Sequence, residues 1–248
     1  MTVFEEALTV YAALPERELS EPWAWPGHEG QPLEVRDAVL RSLELEHAAL
    51  ACVDANEVAR AVAQTQAAFG DLRGLLCGLP DELLDAEPGH GEWTLRQVLQ
   101  HMLWVDRQYQ VNTAHAARRT DEEPLFPDPD ERQVDAPTLA AWLELLTAAR
   151  RAASALLTIP ERQLTRPTAW AGYAVDVRFR LHRRTGHLVQ HTVQCEKVLR
   201  RLGHPEPEAR QLVRRISGAR GGHELLNEPG VLRDLDEQHR GLADSISR

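Results

Sequence analysis

Apolar residues recur every three, four or seven positions along most of this chain, and no run between turn signals alternates convincingly between apolar and polar residues. Spacings of three and four put side chains on one face of an α-helix, whereas a half-buried strand requires alternation. The sequence therefore predicts an all-α fold. Its 248 residues suffice for one large domain or two small ones.

Four long amphipathic helices are predicted in the middle of the chain. Each carries an apolar stripe, and the first follows an Asp and Glu pair with the spacing of a capping box. The four predicted helices are Asn56–Leu79, Thr94–Ala117, Thr138–Thr158 and Val177–Leu202. Four helices of this length are sufficient for a bundle around one core.

The segment from Arg118 to Pro137 holds four prolines among acidic residues, which is typical of an exposed connector. About 20 extended residues reach roughly 60 Å, against about 36 Å for a 24-residue helix, so the connector can cross the bundle. Outside the bundle, a weakly repeated turn segment favours an extra helical hairpin over residues 1–53. Residues 204–248 are predicted to form a polar tail with short helices. The predicted division is therefore 1–53, 54–203 and 204–248.

Charge and cysteine content exclude several classes of partner and site. The net charge is −10, which opposes binding along a nucleic-acid backbone. No apolar run approaches the roughly 20 residues of a membrane span, and the first residues, MTVFEEALTV, lack the basic start of a secretory signal. A cytoplasmic location is therefore expected. The three cysteines form no CxxC pair, which argues against a disulfide framework and a thiolate zinc cluster.

The fourth predicted helix contains the pattern HxxxHxxQ, with His187 and His191 four residues apart. Residues at this spacing share one helix face, so the two imidazoles can converge on one ion. His101 lies beside the apolar stripe of the second predicted helix. Three inward imidazoles from two helices would hold a divalent metal and leave a coordination position open, as catalytic zinc sites do. The alternative is that they are core histidines bonded to neighbouring carbonyls or carboxylates.

Further polar residues are candidates for supporting roles. Gln194, one turn after His191, would orient a ligand or a bound water, or bond a facing backbone group. Asp106 would hold an imidazole, act as a base, or lie in solvent. His47 or Cys195 would add a fourth metal ligand.

Arg180 and Arg184 precede His187 by seven and three residues, and so lie on roughly the same helix face. In an acidic protein, this local positive charge predicts contact with the carboxylates of a thiol cofactor or another anionic substrate. The alternative is an exposed arginine face.

Two segments resemble a known family. GEWTLRQVLQHMLWVD, from Gly91 to Asp106, and HLVQHTVQCEKVLRRLG, from His187 to Gly203, resemble the two motif helices of the DinB-like superfamily. The resemblance covers roughly residues 54–203. It implies a four-helix bundle of up-down-down-up topology and a zinc or nickel ion held by His101, His187 and His191. The extra residues at both ends exceed the usual family size and bear on substrate access.

The resemblance also implies an activity, because several family members are S-transferases that use low-molecular-weight thiols such as bacillithiol or mycothiol. A metal-dependent thiol S-transferase acting on a small molecule is therefore the predicted function. One alternative is a hydrolase that uses metal-bound hydroxide. The other is a non-catalytic helical protein whose metal or histidines stabilise a homodimer, since a seam rich in alanine and leucine suits an interface as well as a pocket.

Overall fold

A computed structural model of the chain describes residues 2–24, 33–51, 53–128 and 134–246. Within these ranges it contains eight α-helices and two short antiparallel hairpins. The helices are α1 Val3–Ala12, α2 Val35–Ala51, α3 Glu57–Leu76, α4 Leu95–Arg118, α5 Leu139–Ala152, α6 Val177–Arg201, α7 Glu208–Glu224 and α8 Pro229–Ile246. The strands are β1 Pro22–Trp23, β2 Leu33–Glu34, β3 Pro167–Trp170 and β4 Tyr173–Asp176. No described helix combines the length and the apolarity needed to cross a bilayer.

The predicted all-α fold is confirmed, and the four central helices begin where local chemistry indicates. Each starts after a side chain that accepts a hydrogen bond from the first turn, namely Asn56, Thr94, Thr138 and Asp176. α3 ends at Leu76 rather than at the expected Leu79, because the chain turns through Gly78 at a φ of 64°. The last residues of the third predicted helix, Ala153–Thr158, form a tighter 3₁₀ helix.

α3 and α6 run parallel to each other. At their starts, the Arg178 guanidinium donates to the Glu57 carboxylate at 2.5 Å. Further along both helices, the hydroxyls of Thr65 and Thr185 lie 2.7 Å apart. Residue numbers therefore rise together along the contact, which only parallel neighbours allow.

α4 runs antiparallel to α6. Arg184 of α6 bonds Asp106 of α4, whereas Arg180, one turn earlier, reaches Thr113. A step backward along α6 is thus a step forward along α4. This register brings the two helices that carry the predicted histidines face to face.

α5 runs parallel to α4, which completes the topology. Arg96, in the first turn of α4, bonds the carbonyl of Ala136 just before α5, and Gln110 donates to the carbonyl of Ala149 at 3.1 Å. α3, α4, α5 and α6 therefore run up, down, down and up, which is the topology that the family resemblance implies.

The hairpin of β3 and β4 precedes α6 and was not predicted. Ala171 and Gly172 form its turn with φ values of 48° and 84°, and Trp170 pairs with Tyr173 across it. Strands of four residues are too short to show a clear alternation, so the one usable signal was Gly172 between two aromatic residues.

The terminal helices form a second core beside the bundle. Residues of α1, α2, α7 and α8 pack together there, among them Phe4, Tyr11, Val39, Ile216 and Leu242. α7 and α8 have 17 and 18 residues, so they are longer than the expected short helices. The sequence of α7 looks solvated because it is rich in arginine and glycine, but the glycines of α3 and α7 permit close helix packing. A Cβ atom at Gly70 would lie 2.1 Å from the carbonyl oxygen of Ser217. The predicted division at residues 53 and 203 stays a prediction.

Candidate metal centre

Three imidazoles meet between α4 and α6. His101 comes from α4, and His187 and His191 come from successive turns of α6. Their ring centroids are 4.4 Å apart for His187 and His191, 4.7 Å for His101 and His191, and 5.5 Å for His101 and His187. One nitrogen from each ring lies within 4.8 Å of the others, close enough for the three rings to hold one metal ion.

Burial favours the neutral forms of His187 and His101. His187 and His191 are 7% and 6% exposed, and His101 is half-buried. Desolvation, followed by the neighbouring imidazoles and Arg183, lowers the pKa of His187 to about 3. Desolvation and His191 also lower the pKa of His101. The neutral imidazole is the form that binds a metal, so the lowered pKa values of His187 and His101 favour metal binding near pH 7.

The hydrogen bonding of the three rings fits a metal better than a satisfied core. The Nδ1 atom of His187 is buried without a hydrogen-bond partner. Within the described ranges, no carbonyl or carboxylate forms a hydrogen bond with the His101 or His187 ring, although the core alternative requires such partners. Buried polar nitrogens without partners are costly, and a cation shared by the three rings would remove that cost.

Gln194 is positioned to orient His191. Its Oε1 atom lies 2.8 Å from His191 Nδ1, which therefore donates and leaves Nε2 as the free acceptor. We expect Gln194→Ala to weaken metal binding by about 10- to 100-fold, because the ring loses the bond that fixes its tautomer and angle. Competition titration with a chromogenic chelator measures the change.

Gln190→Ala is the matched control for Gln194, since Gln190 lies exposed on the same helix one turn earlier. It should leave the affinity at the wild-type value. Equal affinities for Gln194→Ala and wild type would show that the hydrogen bond has no part in holding the ion.

Asp106 and Arg184 lie against each other rather than at the histidines. Arg184 donates from Nε to Oδ1 at 2.6 Å and from Nη2 to Oδ2 at 3.0 Å, and the two residues are 1% and 0% exposed. Gln110 donates to the same carboxylate at 2.6 Å. These bonds occupy both charged groups. The arrangement is a buried ion pair between α4 and α6, in place of the imidazole contact, base or solvated position predicted for Asp106 and the anion contact predicted for Arg184.

The remaining predicted residues are Arg180, Cys195 and His47. Arg180 is buried and contacts the rings of Tyr109 and Phe126. Cys195 is enclosed in the bundle core, and burial raises the pKa of its thiol to about 12, so it offers no thiolate near neutral pH. The side chain of His47 lies outside the part of the chain that the structure describes. The predicted fourth ligand is therefore absent from the histidine group among the described residues.

A cleft lies beside the histidine cluster and is lined by one of its three rings, that of His191. It has a volume of about 380 Å³, and Gln194 also lines it. The remaining lining residues come from the loop before α4 and from the end of α6: Gly91, Glu92, Trp93, Lys197, Val198 and Arg201. The Trp93 ring packs 5.2 Å from the His101 ring. This size suits a small molecule, and the mouth carries both charged and apolar groups.

Sequence reasoning missed Tyr109 as a neighbour of the site. Its ring centroid lies 5.8 Å from that of His187, and its hydroxyl accepts a hydrogen bond from Trp170 at 2.7 Å. The available signal was its position eight residues after His101 on the same helix. The partner Trp170 sits on the hairpin that the sequence pattern did not reveal.

A family model described as the DinB superfamily matches residues 64–195, which is more than half of the chain. The matched region contains all three histidines and Gln194. It excludes α1, α2, α7 and α8, so the second core lies outside the match. A comparison with curated proteins finds no match.

Proposed function

The chain belongs to the DinB superfamily, and we propose that it is a metal-dependent enzyme that joins a low-molecular-weight thiol to an electrophilic small molecule. One observation carries this proposal: three imidazoles from two helices meet beside a cleft that the His191 ring lines, and the Nδ1 atom of His187 is buried and unpartnered. Zinc and nickel are the proposed metals, since both bind imidazole well.

The side chains present fit such an ion and would leave part of its coordination sphere open. His101, His187 and His191 would hold it, and the cleft beside His191 would give a small molecule access to it. When bound, the ion would lower the pKa of a thiol so that a nucleophile exists at neutral pH.

The protein's own groups would place the reactants. Gln194 fixes the His191 ring by the hydrogen bond described above. Trp93 and Val198 supply apolar surface to the lining of the cleft. In the transfer itself, the sulfur forms a bond to the electrophilic carbon, the thiol proton is released, and the leaving group departs with the electron pair of its bond.

Protein purified without a histidine tag tests the proposal. Elemental analysis should find about one zinc or nickel per chain, as expected for a three-nitrogen site. The same preparation is then mixed with 1-chloro-2,4-dinitrobenzene and, in turn, bacillithiol, mycothiol, glutathione or cysteine, and thioether formation is followed by absorbance. We expect metal-dependent acceleration with one of these thiols, loss of it on chelation, and recovery on adding metal back.

The alternatives give different results in this assay. Turnover of model esters or amides without any thiol would replace the transferase with a hydrolase. If chelation changes the oligomeric state and the melting temperature while no substrate turns over, the metal has a structural role in a homodimer.

A further inference from the structure

Arg180 differs from the other deeply buried arginines of the described chain. Four of them pair with carboxylates: Arg73, Arg150, Arg184 and Arg220. Arg180 is 4% exposed and has no ion pair among the described residues. Its hydrogen bonds go to the carbonyl of Ala169 at 2.7 Å and to the hydroxyl of Thr113 at 3.4 Å. A buried cation without a counterion is costly, and this chain has an excess of acidic residues to supply one.

The Arg180 guanidinium retains an unused donor. Nε faces Thr113 and Nη1 donates to Ala169, but Nη2 forms no hydrogen bond in the described ranges. Nη2 is also not among the fully enclosed polar atoms that lack a partner, so it retains contact with solvent. An anion reaching this point would find a charged N–H group directed at it.

Aromatic rings surround this donor. The Arg180 guanidinium lies 5.5 Å from the Tyr109 ring centroid and 5.7 Å from that of Phe126. Trp170 bonds the Tyr109 hydroxyl, and Arg183 lies over the Trp170 ring at 5.0 Å. The surroundings therefore combine apolar walls with a second positive charge, and desolvation lowers the pKa of Arg180.

Tyr109 links this place to the metal centre. Its ring is 5.5 Å from the Arg180 guanidinium and 5.8 Å from the His187 ring, so the guanidinium lies within about 11 Å of His187. Two helical turns separate Arg180 from His187 along α6, which agrees with that span. The separation is within the length of a single small molecule that passes beside the Tyr109 ring.

We infer that the substrate bound at the histidine site is a carboxylate-bearing small molecule, with its reacting end at His101, His187 and His191 and its carboxylate on Arg180. The inference rests on the proposed function for the reacting end, while the carboxylate contact depends on Arg180 alone. It names the chemical class of the ligand and assigns Arg180 as the residue that selects it.

Matched pairs of charged and neutral ligands test this assignment by calorimetry on the zinc-loaded full chain. 8-Mercaptooctanoate can place its thiol at the zinc and its carboxylate at Arg180, and 8-mercaptooctanamide differs only in charge. We expect the carboxylate to bind at least about tenfold more tightly, as charge-assisted hydrogen bonds typically allow. The short 3-mercaptopropionate should show no such advantage over its amide, because it cannot span the distance.

Variants separate Arg180 from general electrostatics. Arg180→Met should abolish the preference for the carboxylate, and Arg180→Lys, which keeps the charge, should retain part of it. Arg178→Met is the matched control, since Arg178 on the same helix pairs with Glu57 on the side facing α3. It should keep the full preference, and zinc content should be the same in all variants.

A second titration without metal separates a failure of the Arg180 assignment from a failure of the proposed function. Chelated wild-type protein is titrated with octanoate and octanamide, which carry no thiol. A preference for octanoate that disappears in Arg180→Met supports the assignment even if zinc or the thiols fail to bind, and that failure would count against the proposed function alone. Equal binding of charged and neutral ligands in both arms would overturn the role of Arg180.

Discussion

The double variant His187→Ala, His191→Ala should lose its metal while keeping its helices. Two of the three nitrogens disappear, and one imidazole alone does not hold zinc against competing chelators. Metal content should fall from about one equivalent per chain to near zero, as expected when a three-ligand site is dismantled. Elemental analysis after dialysis measures the metal, and far-ultraviolet circular dichroism measures the helicity.

The helices should survive because α6 is held by other contacts. Val177, Leu188 and Leu199 of this helix are buried in the cores, and the Arg184 and Asp106 pair remains. His182→Ala is the control, since His182 is exposed on the same helix and should keep a full metal equivalent. A full equivalent retained by the double variant would refute the metal centre and, with it, the proposed chemistry.

That His187 and His191 lie on one inward face of α6 was predictable from helix geometry. Histidines four residues apart share a face in any α-helix, and the surrounding apolar stripe fixes which face turns inward. The start of α4 agrees with the predicted one, and the Thr94 side chain caps the helix there. The convergence of His101 with the other two rings required one further input, the order of the helices, which the family resemblance supplied.

The surroundings of the metal centre were less predictable because they depend on the register between helices. Asp106 and Arg184 look like ordinary polar residues in sequence, and only the antiparallel contact of α4 and α6 pairs them. Tyr109 meets Trp170 only because the β3 and β4 hairpin folds back toward α4. These are contacts between residues far apart in the sequence, which a local pattern does not encode.

The second core was not predictable from the sequence for a related reason. Its polar members look solvated in sequence, whereas the structure buries them against each other. Glu46 of α2 accepts hydrogen bonds from His223 of α7 at 2.5 Å and from His239 of α8 at 2.6 Å. Arg220 also donates to Glu46 at 3.2 Å and extends to Asp236. One carboxylate thus joins three helices that lie outside the family match.

Glu46→Gln should therefore destabilise the protein by about 3 to 5 kcal/mol at pH 7. The amide removes one of the two carboxylates that pair with the buried Arg220 and turns an N–H group toward the donors of His223 and His239. Urea unfolding followed by circular dichroism measures the loss. Glu237→Gln is the control on α8, where the side chain is exposed and the expected change is within about 0.5 kcal/mol.

The pKa of Glu46 determines how the stability difference between wild type and Glu46→Gln changes with pH. Although burial opposes ionisation, the hydrogen bonds from His223 and His239 and the charge of Arg220 outweigh it and lower the pKa of Glu46 to about 2 from 4.5. A carboxylate with a depressed folded-state pKa stabilises fully above its unfolded pKa and loses that contribution as the pH falls toward the folded value. The difference between wild type and Glu46→Gln should be full at pH 7 and shrink between about pH 4.5 and 2.

The same variant separates the second core from the metal centre. Because Glu46 bonds only α7 and α8 among the contacts described above, whereas the histidines lie between α4 and α6, folded Glu46→Gln should keep its full metal equivalent. The two histidine substitutions should show the reverse pattern, with metal lost and most of the stability of the metal-free protein kept. If Glu46→Gln unfolds with the wild-type free energy at pH 7, the buried carboxylate does not join the terminal helices.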